Sequence, residues 1–180
     1  MLKAENADKL IAEAVCPVMT ISDRPACHSI KDILLPVDIF KETANKVAWA
    51  ISMAKKFNAR LHVVSVVEMD IKPQDSLSYK KCKKIEDAIR KEGIEVDTVL
   101  LKSEKRSMAQ SVLDYSAEIN PDLIMIMTHQ ESALIDNYLG NFAREIIHRS
   151  TVPVFSAVPG KKSILEGFFS TISPEVKQGY

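Results

Sequence analysis

Glycine is scarce in this chain, five in 180 residues, and between residues 127 and 141 only Gly140 remains. A loop that wraps phosphate oxygens in main-chain amides relies on glycine for close approach and for positive φ. A fully glycine-lined cradle is therefore excluded in that stretch. Cysteine is sparse too: Cys16, Cys27 and Cys82 are odd in number and widely spaced. Such spacing argues against a disulfide framework or a zinc knuckle and fits free thiols in a reducing cytosol, so a cytoplasmic location is expected. Neither sign of charge is in excess, with 24 basic and 24 acidic side chains. No overall field draws the chain to nucleic acid or to an acidic membrane. Long apolar runs are missing as well. Nothing approaches the roughly 20 residues that a bilayer demands, and residues 1–5 lack the basic start and apolar stretch of a signal peptide.

What is present is a repeating pattern. With 46% hydrophobic residues, the chain is large enough to bury a core without staples, as one globular domain with appended segments. Residues 33–37 read as a short buried strand, and Ala44, Val47, Ala48, Ile51 and Ala54 then recur at helical spacing. A second strand over 61–67 precedes a helix that sets Cys82, Ile85, Ala88 and Ile89 on one face until Gly93 ends it. Strand three spans 96–101, and Ala109, Val112, Leu113, Ser116 and Ile119 line the next helix. Asn120-Pro121-Asp122 breaks that helix before strand four at 123–128; a helix over about 140–150 and a strand over 153–158 complete the series. Crossovers of this length return the chain to the same end of a sheet, so the strands run parallel. Continuously apolar strands fit a sheet covered on both faces. The expected fold is α/β, an open parallel sheet with helices on both faces.

Sheets of this kind take ligands beyond the carboxyl ends of their strands, where the strand order reverses. Asp38 follows strand one, and Thr128 with His129 follows strand four. Residues 123–141 read as buried strand, loop and new helix start, a junction whose outward N–H groups suit an anion.

Residues 35–38 (Leu-Pro-Val-Asp), the strand at 61–67, Gly140-Asn141-Phe142-Ala143 and Val152-Pro153-Val154 together resemble the universal stress protein family over residues 30–158. That resemblance implies a five-stranded parallel sheet in the order 3-2-1-4-5 and dimers along strand five. It also implies, in the ATP-binding branch, a glycine, two residues, a second glycine, nine residues, then glycine followed by serine or threonine. The spacing falls here on Met127, Gln130, Gly140 and Asn141, so the first two glycines are replaced and the third is kept. Asp38 matches the acidic residue that the branch places near the nucleoside. Asn141 retains a side-chain amide that donates or caps. These five are the candidate binding residues, with the bulk of Met127 and Gln130 expected in the phosphate path.

The first thirty residues carry a second pattern. Ala7, Leu10, Ile11 and Ala14 have helical spacing, and residues 16–21 are strand-like. Set Pro17 on Pro153 and the two segments align without gaps, so residues 1–29 resemble the last helix and strand of a preceding domain of the same family. The chain then divides into a helix-strand extension with linker (1–29), the stress-protein-like domain (30–160) and a tail (161–180). An isolated strand needs an edge to satisfy its N–H and C=O groups, and strand five is the natural receptor, within the chain or from a partner.

Plainer readings accompany several residues. Asp38 caps a turn as readily as it meets a ligand. His129, His62 and His148 stand apart in sequence, which argues against a metal site. Lys80, Lys81, Lys83 and Lys84 are followed on their helix by Glu86, Asp87 and Glu92, as on a solvated face. Neither a nucleophile elbow nor a Walker loop is present. The expectation is a non-catalytic, cofactor-free stress-response domain acting through homodimerisation or partner contacts, the dimer using strand five and the N-terminal strand. The alternative is a weak adenine-nucleotide-binding module.

Overall fold

The structure is a computed structural model and describes residues 4–21, 29–38, 44–67, 77–103, 105–128 and 139–157. In chain order the elements are α1 (Ala4–Glu13), β1 (Val18–Thr20), β2 (Asp32–Pro36), α2 (Ala44–Phe57), β3 (Arg60–Val67), α3 (Leu77–Lys91), β4 (Val96–Lys102), α4 (Met108–Ile119), β5 (Leu123–Met127), α5 (Asn141–Arg149) and β6 (Val154–Ala157). The breaks are local chemistry. Gly93, at φ +75°, follows α3. Asn120 takes the left-handed conformation that closes α4, its N–H donating to the Ser116 carbonyl, and Pro121 prevents continuation. Asp122 then pins the start of β5 to β2, its carboxylate accepting from Lys31 and Asp32 N–H at 2.7 and 3.0 Å.

The sheet has six strands in the order β1-β6-β5-β2-β3-β4. The pairs β5–β6, β2–β5, β2–β3 and β3–β4 are parallel, whereas β1 lies antiparallel on β6. This corrects the expectation of a purely parallel, five-stranded sheet: the five domain strands keep the order 3-2-1-4-5, but the N-terminal strand joins them antiparallel outside the last, so the sheet is mixed and six-stranded. The cause is the edge. Val18, Met19 and Thr20 pair with Ser156, Phe155 and Val154 of the same chain, which pairs one edge of β1 and covers β6 in one step. A dimer along β6 itself would first have to displace β1.

Alternation along each strand splits the core in two. Ile33, Leu35, Leu61, Val63, Leu123, Met125 and Met127 face α2 and α3, with Trp49, Met53, Cys82 and Ile89. Leu34, Val64, Ile124 and Ile126 face the other way, against Val112, Ala143, Ile146 and also Ile11 of α1. Both layers are apolar, so the strands need no polar face. The tail from residue 158 onward lies outside the described residues.

Candidate functional site

Two helix starts and one strand end meet at the carboxyl edge of the sheet. Ser107 caps α4, its hydroxyl oxygen accepting from the Gln110 N–H at 3.0 Å. The same hydroxyl donates to the Glu145 carboxylate, 3.1 Å from each oxygen. Arg149 joins Glu145 and the Gln110 side chain, which ties α5 to α4 along their exposed flank. On the opposite side β2 ends at Pro36, the Val37 N–H donates to the Val64 carbonyl at 2.8 Å, and the chain delivers Asp38 half-buried.

Between these ends lies a small crevice, part of it open to solvent. Its walls include Asp38, Lys46, Val66, Met108, Val112 and Phe142. Lys46 is 6% exposed, and its ammonium donates to the Pro36 carbonyl at 3.0 Å. A buried cation needs such a partner.

The structure brings some of the five candidates together and separates others. Asp38 lines the crevice. Gly140 stands at the N-cap of α5 with φ −57° and ψ 145°, and no side chain caps the helix there. A Cβ built on Gly140 would meet nothing within 4 Å among the described residues, so neither the backbone nor the packing they provide requires glycine. Asn141 opens α5 and is exposed, next to the crevice-lining Phe142. Met127 behaves otherwise. Its side chain, 8% exposed, packs in the core cluster with Val37, Met125 and Ala157 and is not a wall of the crevice. At this position the side chain faces α2 and α3, because strand alternation turns every second residue of β5 that way. Gln130 and His129 lie outside the described residues.

Lys46, Met108 and Phe142 were missed by the sequence reading. For Lys46 a signal existed, since it recurs at helical spacing with Trp49, Ala50 and Met53, all buried. Phe142 stood within the quoted Gly140-Asn141-Phe142-Ala143 motif, next to two candidates, whereas Met108 carries no such mark.

Two histidines have structural partners. His62 Nε2 lies 2.8 Å from Asp32 Oδ1, and His148 Nε2 lies 2.6 Å from Asp8 Oδ1. Among the described residues no group of three or more His, Cys, Asp or Glu is arranged for a metal ion, and no helix is long and apolar enough to cross a membrane. Lys83 meets Glu86 at 2.9 Å and Asp87 at 3.6 Å on the solvated face of α3.

The model of the universal stress protein family matches residues 29–156, most of the chain. The chain belongs to the universal stress protein family. No curated protein matches it. Among solved structures, a universal stress protein from Archaeoglobus fulgidus DSM 4304 is similar at 23% identity with a TM-score of 0.68, over 87% of this chain and 54% of that one. This chain thus spans about half the length of that relative. A universal stress protein in complex with cAMP is similar at 15% identity and TM-score 0.59, over 73% of this chain and 99% of that one. A third, from Archaeoglobus fulgidus in complex with dAMP, has 21% identity and TM-score 0.55, over 71% of this chain and 97% of that one. At these identities the likeness establishes the fold and leaves the ligand to be argued from the crevice.

Proposed function

We propose that this universal stress protein domain is a non-catalytic, cytoplasmic module that works through protein contacts, with a nucleotide crevice that has lost part of its phosphate grip. The observation that carries the reading is where large apolar side chains stand exposed. Among the described residues they are Leu10, Val15, Met19, Ile21, Tyr79 and Met108, and four of these six belong to α1, β1 or the residues beside them. They flank both faces of the sheet edge, Leu10 on the helix over one layer and Met19 opposite Phe155 of the other, and we read this edge as a contact surface. Residues 4–21, a helix and a strand in the order of α5 and β6, are read as the remnant of a preceding domain of the same family.

A specific observation favours a second reading, weak binding of an adenine nucleotide. Relatives of the same fold hold dAMP and cAMP. In this chain Asp38 stands beside apolar walls that suit a base, and Gly140 and Asn141 open a helix whose dipole favours an anion. Calorimetric titration with AMP and with ATP and Mg²⁺ separates the two. A silent titration up to low-millimolar ligand supports the contact module, whereas saturation at micromolar ligand replaces it with a nucleotide sensor.

A further inference from the structure

The N-terminal unit and the last crossover are related by more than sequence. With Pro17 set on Pro153, Asp8 corresponds to Arg144, Leu10 to Ile146, Cys16 to Val152, Val18 to Val154 and Ile21 to Ala157. The pairing of β1 with β6 follows that correspondence as a local twofold. Met19 lies opposite Phe155, its own counterpart, while Val18 faces Ser156 and Thr20 faces Val154. The helices agree, because Asp8 forms an ion pair with its counterpart Arg144 at 2.8 Å.

Two faces of α5 are in use. One, with Ile147 and His148, meets α1. The other, with Ala143 and Ile146, is buried on its own sheet. The first face of α1 is filled in the same manner, Ile11 and Ala12 being 1% and 7% exposed. Its second face is not. Leu10 is 52% exposed where Ile146 is 0%, and Ile21 is 66% exposed where Ala157 is 0%. Cys16 is exposed where Val152 is buried. Val15, at 82%, carries no weight here, since its counterpart Thr151 is exposed as well.

What covers the corresponding positions of α5 and β6 identifies the missing occupant. The inner edge of β6 is filled by β5, parallel, with Ile124 opposite Val154 and Met127 opposite Ala157. We infer that α1 and β1 are a docking surface for a second α/β sheet, one whose fourth strand is open because it lacks a last helix and strand of its own. That strand lies parallel to β1 and covers Val18 to Ile21, and the sheet behind it buries Leu10. The inference rests on the remnant reading above. The longer Archaeoglobus fulgidus chain is in keeping with it: 87% of this chain is matched there, against 73% by the structure with cAMP, which is itself matched nearly end to end.

The test uses the full chain and a defined probe, a separate tagged copy of its residues 29–140, which presents an open β5 edge and has neither α5 nor β6. Coexpressed with the full chain, the probe becomes soluble and elutes as a one-to-one complex in light-scattering chromatography. The doubly substituted full chain, Leu10→Asp with Ile21→Asp, keeps its melting temperature because both side chains are exposed, and it retains the probe about tenfold or more weakly. A probe that stays insoluble or elutes apart overturns the inference. So does equal rescue by the substituted chain, and so does a full chain whose own copies occupy the patch as a dimer. Deletion of residues 1–21 tests the remnant reading separately, through association of the shortened chain, so either idea fails without the other.

Discussion

Replacing Met127 by glycine restores the residue that the ATP-binding pattern expects, and its consequence follows from where the side chain lies. Met127 is 8% exposed and packs with Val37, Met125 and Ala157. It ends β5 opposite Ala157, and it is not among the residues with positive φ. Truncating a buried methionine to alanine costs about 2–5 kcal/mol through lost transfer energy and the cavity left behind. Going on to glycine adds roughly 0.5–1 kcal/mol of backbone entropy within a strand. At about 2–4 °C per kcal/mol for a chain of this size, Met127→Gly should lower the melting temperature by on the order of 10 °C. Because the side chain is not a wall of the crevice, affinity for ATP should stay within about twofold, measured by calorimetry well below the transition. A variant that melts within about 2 °C of the parent would refute the packing argument. A variant that gains ATP affinity tenfold or more, on the order of 1.4 kcal/mol, would show that Met127 obstructs the ligand after all.

Four further outcomes are expected. Gly140→Ala should leave stability within about 1 kcal/mol, since its φ is ordinary and a Cβ has open space; if the second functional reading holds, the added methyl weakens nucleotide binding, and an unfolded variant would contradict the geometry. Cys16 is exposed and Cys82 buried, and burial pushes the Cys82 thiol up from 9.0 to about 11, so iodoacetamide at pH 8 should label Cys16 and spare Cys82, as read by peptide mass spectrometry. The folded state binds that proton more tightly than the unfolded one, so the stabilisation, roughly 2–3 kcal/mol, is whole below pH 9 and lost as pH rises through about 11; urea midpoints that do not fall over that range would count against it. Deletion of residues 1–21 uncovers β6 and removes Ile11 from its core cluster; the shortened chain should self-associate, and an unchanged solution mass would disprove the capping role of β1.

Particular residues show how far sequence pattern carried. The run at 123–127 had to be a strand buried on both sides, because all five of its side chains are apolar and Pro121 stops the preceding helix. Asp38 reached the crevice as its position after β2 suggested. Met127 did not, because the motif spacing gives a position along the chain while the side of the sheet is set by strand parity. Lys46 was hidden within an apolar stripe that tolerates one cation only where a carbonyl waits at its tip, and the Pro36 carbonyl comes from another element.

The order of helices and strands, the parallel crossovers and the likeness of residues 7–18 to 143–154 were decided by the sequence, since hydrophobic period, turn residues and internal repetition are properties of neighbouring positions along one chain. That β1 meets β6, the expected receptor, within its own chain and antiparallel, the local twofold this creates and the face left bare beside it were decided only by the tertiary structure. An edge strand can be satisfied by any complementary edge, and which edge it meets depends on groups more than a hundred residues apart.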